Sequence, residues 1–257
     1  MACIIRQPKG IKAVYLMTDK LAYDASFTPP KPAAAKAAGY SAVIRYLSPD
    51  PAKNLTKRES QQLLDAGLGI GLVWESTAMR AVMGYEAGLI DGNQSARMMR
   101  ELHAPVGTPI FANVGDWSTT SGQLNGIIGY YQGFTENLHE YSQGCGGYGN
   151  SYIINRLTSS GHHGIWWQNA IDAMGIPGSV VNQHASIYQR QVPTVKIAGA
   201  KPGSWDEDAY GFGPVPDIPW WQSQASKPPP KPQPLTITQV QVMVTYSDGS
   251  TKTFPIG

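Results

Sequence analysis

The sequence has 257 residues, 42% of them hydrophobic and 15% charged, with a formal net charge of +2. So few charges beside an ordinary apolar content exclude a globally disordered chain. The near balance of charge leaves no basic field to hold a nucleic-acid backbone, and no apolar run approaches the ~18–20 residues that cross a bilayer. Neither nucleic acid nor membrane is expected as a partner.

The N-terminal stretch MACIIRQPKGIKAVYLMTDK has broken apolar patches and no small-residue cleavage site, which argues against a signal peptide. Its Cys3, with Cys145, makes no disulfide framework, so both are expected to be thiols. After the run LAYD, Pro32 followed by AAAKAA and Gly39 has proline at a helix start and glycine just past its end. SAVIRYL (41–47) is β-rich. Thr56-Lys57-Arg58-Glu59 forms a capping box that opens a helix closed near Gly67, and GIGLVWE (69–75) is the next strand. A helical stretch over 92–103, a strand over 108–114 and a helix over 121–142 follow. Gly146–Tyr148 is expected as a short strand, SYIINRLTSSG as a helix and GIWWQ (164–168) as a strand. Residues 178–210 have no clear pattern.

Strands alternating with helices predict parallel βαβ units, six or seven of them before residue 210, which points to an α/β (β/α)8 barrel of the TIM type. An open doubly wound sheet is the alternative. A barrel over 1–225 would be followed by the proline-rich linker 226–234 (SKPPPKPQP), an extended polyproline spacer. Residues 235–257 then alternate Thr238, Val240, Val242, Val244 and Tyr246 with polar neighbours before the turn signal Asp248-Gly249, predicting a β-hairpin arm. A lone two-stranded hairpin is marginal in water, so this arm needs something to lie on.

In a parallel barrel the reactive side chains sit where strands end. That rule selects Asp24, Arg45, Tyr46, Glu75, Asp116, Trp117, Tyr148, Trp167, Gln168, Gln183, Asp206 and Asp208. Acids with aromatics at one rim suit carbohydrate: rings stack on apolar sugar faces, and two carboxyl groups can cleave a glycosidic bond. Trp166, beside Trp167, is as easily explained by packing. Other chemistry lacks its pattern. Gly144–Gly149 matches GxGxxG but follows a polar helical segment instead of a strand, which favours a loop over a dinucleotide fingerprint. His162 and His163 are adjacent and do not face one ligand; with no CxxC or HExxH, neither metal nor cofactor is expected. No GxSxG elbow occurs.

The ordered stretches AYDAS, AGYSAVIRYLSP, NLTKRESQQLLDAGLGIGLVWE, GTPIFANVGDW, GYGNSYIINRL, IWWQ and SWDEDAY resemble an actinobacterial and phage glycoside-hydrolase-like family related to family-25 lysozymes, over roughly residues 20–212. The resemblance implies a (β/α)8-type barrel and a bacterial cell-wall polysaccharide as target. It also places Asp24, Arg45-Tyr46 and Glu75 at the ends of strands one to three, with Asp206 and Asp208 in a closing acidic motif. At the fourth strand the family tends to show Asp-x-Asp, whereas here Gly115 and Trp117 occupy those positions with Asp116 between them. A one-residue offset turns a strand side chain to the other face, so hydrolysis rests on whether Asp116 reaches the site.

Two functions compete. In one, Glu75 donates a proton, favoured by Trp74 beside it, and Asp24 or Asp116 is the second carboxylate of a peptidoglycan glycosidase such as an endolysin. In the other, a non-catalytic glycan-binding barrel is a virion or tail component, found in the phage particle or outside the cell, and residues 235–257 pair with other virion proteins or self-associate.

Overall fold

The computed structural model describes residues 20–115, 120–138, 144–169, 181–190, 193–201 and 203–223, and the backbone of 240–245 and 251–256. The N-terminal stretch with Cys3, the positions Asp116 and Trp117, the proline-rich linker and the Asp248-Gly249 turn lie outside the described residues.

Eight strands close into a barrel in sequence order: β1 (Lys20–Ala25), β2 (Tyr40–Leu47), β3 (Gly69–Trp74), β4 (Ile110–Gly115), β5 (Cys145–Gly149), β6 (Ile165–Gln168), β7 (Ala185–Arg190) and β8 (Asp206–Tyr210). Helices α1 (Pro32–Ala37), α2 (Lys57–Asp65), α3 (Tyr85–Leu102), α4 (Ser121–Glu136) and α5 (Ser151–Ser159) follow the first five strands. No described helix is long and apolar enough to cross a membrane. The fold is thus an α/β barrel, with one departure from an all-parallel ring: β8 runs antiparallel to both β7 and β1. The sequence could not reveal this, because strand direction leaves no mark on a five-residue apolar-polar pattern.

Local signals explain most boundaries. Pro32 opens α1, and Gly39 just beyond it has φ +99°, a conformation that side chains resist. Thr56 caps α2 by accepting the Glu59 amide at 3.2 Å, and Asn150 caps α5 by accepting the Ile153 amide at 2.9 Å. Helix α3 begins seven residues before the expected start at 92. Glycines at 84, 88 and 92 hide it from propensity, yet Gly88 and Gly92 are required: a Cβ there would stand 2.0 and 2.2 Å from the carbonyl oxygens of Tyr130 and Phe134 on α4. The glycines of 144–149 lie mainly in strand β5, not in a loop; a Cβ on Gly146 would meet the Ile165 carbonyl oxygen at 1.9 Å.

Two apolar layers result. The outer one, between strands and helices, holds Tyr23, Val43, Leu72, Trp74, Tyr131 and Trp166 among others. The inner one fills the barrel with Ala22, Ala42, Ile44, Val73, Phe111, Ile165, Trp167, Ile187 and Tyr210. The end at which the parallel strands start is stopped by Ile218 and Trp220. Trp221 pairs there with Ile70 through two backbone hydrogen bonds of 2.9 Å. Gly69 and Gly71 make room for the Trp220 indole, whose atoms would lie 2.6 and 2.7 Å from added Cβ atoms.

The chain divides into two compact units, 1–223 and 224–257. In the second, β9 (Val240–Thr245) and β10 (Thr251–Ile256) pair antiparallel, Val240 opposite Ile256 and Thr245 opposite Thr251.

Candidate functional site

With one end stopped, the polar side chains of the inner face gather at the other, where the parallel strands finish. We call that end the mouth. Alternation along each strand decides which residues arrive there. On β1, Ala22 and Asp24 face inward; on β2, Ala42, Ile44 and Tyr46 do. Beyond β3, Glu75 meets Asn113 of β4 (3.5 Å), and β5, β6 and β7 deliver Tyr148, Trp167 and Gln189. Because β8 is antiparallel, it enters from the mouth: Asp206 pairs with Asp24 in register and Asp208 lies two pairs deeper, opposite Ala22.

A hydrogen-bonded chain joins these groups. Tyr148 donates its hydroxyl to Gln189 Oε1 (2.9 Å), and Gln189 Nε2 donates to Asp24 Oδ2 (2.9 Å). Tyr46 donates to Asp24 Oδ1 (3.2 Å), and the Trp167 indole donates to Asp208 Oδ1 (2.7 Å). The Tyr148 and Trp167 rings are 4.2 Å apart between centroids. Asp24 and Asp208 are 2% and 0% exposed. Burial, then the charge of Asp206, pushes Asp24 up to about 7 against its hydrogen bonds. Burial and the facing Asp24 drive Asp208 well above the carboxylate range. Tyr46 is likewise raised, by burial first and then by the carboxylates around it, Asp24 and Glu75 among them.

Glu75 is more accessible and ion-pairs with Lys53, whose ammonium also lies 5.3 Å from the centre of the exposed Phe27 ring and 5.9 Å from that of Tyr46. The apolar wall expected beside Glu75 is absent on that side: Trp74 points into the outer layer. Lys53, Phe27, Asn113 and Gln189 escaped the sequence reading. The first two are loop residues with no periodicity to place them, and β7 had no visible boundary.

Three candidates leave the site. Arg45 alternates with Tyr46 and so faces outward, where it bonds Glu59 (2.5 and 3.2 Å), the Ser26 carbonyl (2.9 Å) and the Ala25 carbonyl. Gln168 alternates with Trp167, and its Oε1 accepts the Asn182 amide at 2.6 Å, holding the entry to β7. Gln183 precedes β7 and lies at the stopped end, next to His184 (3.3 Å). Asp116 and Trp117 lie outside the described residues, so β4 contributes Asn113 and Gly115 to this height.

At the stopped end, a hollow of about 440 Å³ is lined by His162, His163, His184, Cys145, Trp166 and Val215, without a carboxylate. Burial pushes the Cys145 thiol up to about 12, away from nucleophilic use. No group of three or more metal-ligating side chains is assembled among the described residues.

A protein-family model described as an Rv2525c-like, glycoside hydrolase-like domain matches residues 33–256. Among solved structures, the Mycobacterium tuberculosis Tat-secreted protein Rv2525c superposes with a TM-score of 0.67 at 21% identity, covering 79% of this chain and 98% of that one. The modular autolysin LytC of Streptococcus pneumoniae, in a structure with a synthetic peptidoglycan ligand, gives 0.55 at 14%, covering 77% and 48%. A bacterial lysozyme from Streptomyces coelicolor gives 0.52 at 13%, covering 77% and 95%. At these identities the likeness is one of fold. A search of curated proteins finds no match.

Proposed function

Since this chain belongs to the Rv2525c-like, glycoside hydrolase-like family, we propose that its barrel mouth binds a bacterial cell-wall glycan. The observation that carries this reading is the convergence of Asp24, Tyr46, Glu75 and Tyr148 on one mouth, rimmed by Phe27 and Lys53. Such a set offers hydrogen-bond partners to sugar hydroxyls and ring faces to the apolar side of a pyranose. The resemblance of fold to an autolysin solved with a peptidoglycan ligand supports a wall polysaccharide as the class. Purified protein is expected to sediment with actinobacterial cell walls. Phe27→Ala, which removes a 57% exposed ring without touching the core, is expected to weaken that binding roughly two- to tenfold, the effect of one lost stacking contact. Unchanged binding would remove Phe27 from the site, and absence of binding by the wild type would end the proposal.

Hydrolysis is the second reading. Its proton donor would be Glu75 and its second carboxylate Asp24 or Asp116. The inward residues of β4, Asn113 and Gly115, add no acid, which favours binding over cleavage. Release of reducing ends from cell walls, abolished in Glu75→Gln, would reverse that order.

The setting we propose is a virion or tail protein, with residues 235–257 as its assembly arm. Among the described residues, each strand of the β9–β10 pair has a free edge in that two-stranded sheet, and an isolated hairpin buries too little to stand alone. Truncation after Ser223 is expected to leave the barrel folded by circular dichroism while lowering the oligomeric state seen by light scattering. An unchanged mass per particle would remove the arm from assembly.

A further inference from the structure

The mouth holds two almost wholly buried carboxyl groups, Asp24 at its inner edge and Asp208 beneath it, and their donors are unequally shared. Asp24 accepts at both oxygens, from Tyr46 and from Gln189, and Asp208 is the next inward-facing residue beyond Asp206 on the paired strand β8. Asp208 accepts at Oδ1 from Trp167, whereas its buried Oδ2 receives no donor. An ionised carboxylate is an acceptor only, so a buried carboxylate oxygen without a donor is costly, while a protonated one becomes a donor itself. We propose that Asp24 and Asp208 form a one-proton pair in which Asp208 carries the proton on Oδ2 and donates it to the Asp24 carboxylate.

Among the described residues, the surroundings agree. Tyr46 of β2, Trp167 of β6 and Gln189 of β7 face the pair as neutral donors, and Asp206 of β8 adds a negative charge. Glu75 lies beyond Tyr46. Glu207, between the two aspartates of β8, faces the other way to Arg190. Among the described residues no Lys, Arg or His side chain bonds either carboxyl group. With no cation to hold two charges together, the proton does so. Asp208 is then a positioning residue. It acts on a ligand only through Asp24, which lies two register pairs nearer the mouth.

This assignment deepens the glycan reading but needs no glycan to test. Infrared spectra of the full-length protein at pH 8 are expected to show a protonated carboxyl band that Asp208→Asn removes and Asp24→Asn keeps. The asparagine amide at 208 can donate to Asp24 as the proposed acid does, so Asp208→Asn is expected to keep the wild-type urea midpoint. Asparagine at 24 sets an amide against the Tyr46 or Gln189 donor, and that midpoint should fall. Because the native pair binds more protons than unfolded aspartates above about pH 4, wild-type stability declines as pH rises through and beyond about 7. Asp208→Asn should flatten this decline. Absence of the band at pH 8, its loss in Asp24→Asn instead, or a midpoint lowered by Asp208→Asn and spared by Asp24→Asn would each overturn the assignment. Should Asp208→Asn fail to fold, the wild-type and Asp24→Asn spectra decide alone. Failure to bind cell walls would leave all these readouts standing.

Discussion

Glu207→Ala is expected to lower the unfolding free energy by about 3–5 kcal/mol, read as a shift of the urea midpoint. Glu207 is fully buried on the outer face of β8 and accepts from five donors. These are Arg190 (2.6 Å), the Thr194 hydroxyl (2.7 Å) and amide (3.0 Å), the Val195 amide (3.1 Å) and the Tyr40 hydroxyl (2.9 Å). Truncation takes the acceptor from a guanidinium and four neutral donors at once, and buried donors left unmatched are what makes such losses large. A pH signature accompanies it. Burial alone would raise the Glu207 carboxyl, but the bonds from Arg190, Thr194 and Tyr40 outweigh it and hold the group below its usual range. Its contribution is therefore complete above the unfolded value of about 4.3 and disappears as pH falls through the lower native value. Glu207→Gln should show a shallower acid limb than the wild type. Equal limbs would mean that the carboxylate charge adds nothing.

The second large effect is expected at the α3–α4 contact. Gly88→Ala would set a methyl group 2.0 Å from the Tyr130 carbonyl oxygen, and from the other helix Gly133→Ala would meet the Tyr85 carbonyl oxygen at 2.3 Å. These are backbone atoms, so no rotamer change relieves the overlap and the helices must separate. A loss of about 3 kcal/mol is expected, the upper part of the range for overpacking. Gly122→Ala is the internal control. It lies in α4 with nothing within 4 Å, and should stabilise by about 0.5–1 kcal/mol through helix propensity. Thermal melts of the three variants separate the effects. Similar midpoints for Gly88→Ala and Gly122→Ala would contradict the close approach.

The same glycines show where the sequence was legible. Proline at the start of α1 and the Thr56 cap of α2 marked their helices because caps act through neighbours in the chain. Gly88 and Gly92 concealed α3 because their reason is a contact with residues 40 or more positions away. At the mouth, the strand-end rule located Asp24, Tyr46, Glu75, Tyr148, Trp167 and Asp208. It could not choose between Arg45 and Tyr46 or between Trp167 and Gln168, since a strand shows alternation without saying which face is inside. Gln183 stood in for Gln189 because the limits of β7 depend on ladder bonds to β6 and β8, and the sequence marks β6 without showing where β7 pairs along it. The reversed direction of β8 was invisible for a related reason: antiparallel and parallel neighbours bury the same alternate residues.

That reversal has a practical consequence. A strand that starts at the mouth must finish at the opposite pole, so the last described residues of the barrel, Trp221 to Ser223, emerge beside the Trp220 stopper. An immobilisation tag fused directly after Ser223 would therefore attach the truncated barrel to a sensor chip by its back and leave the mouth turned toward whatever is flowed across it.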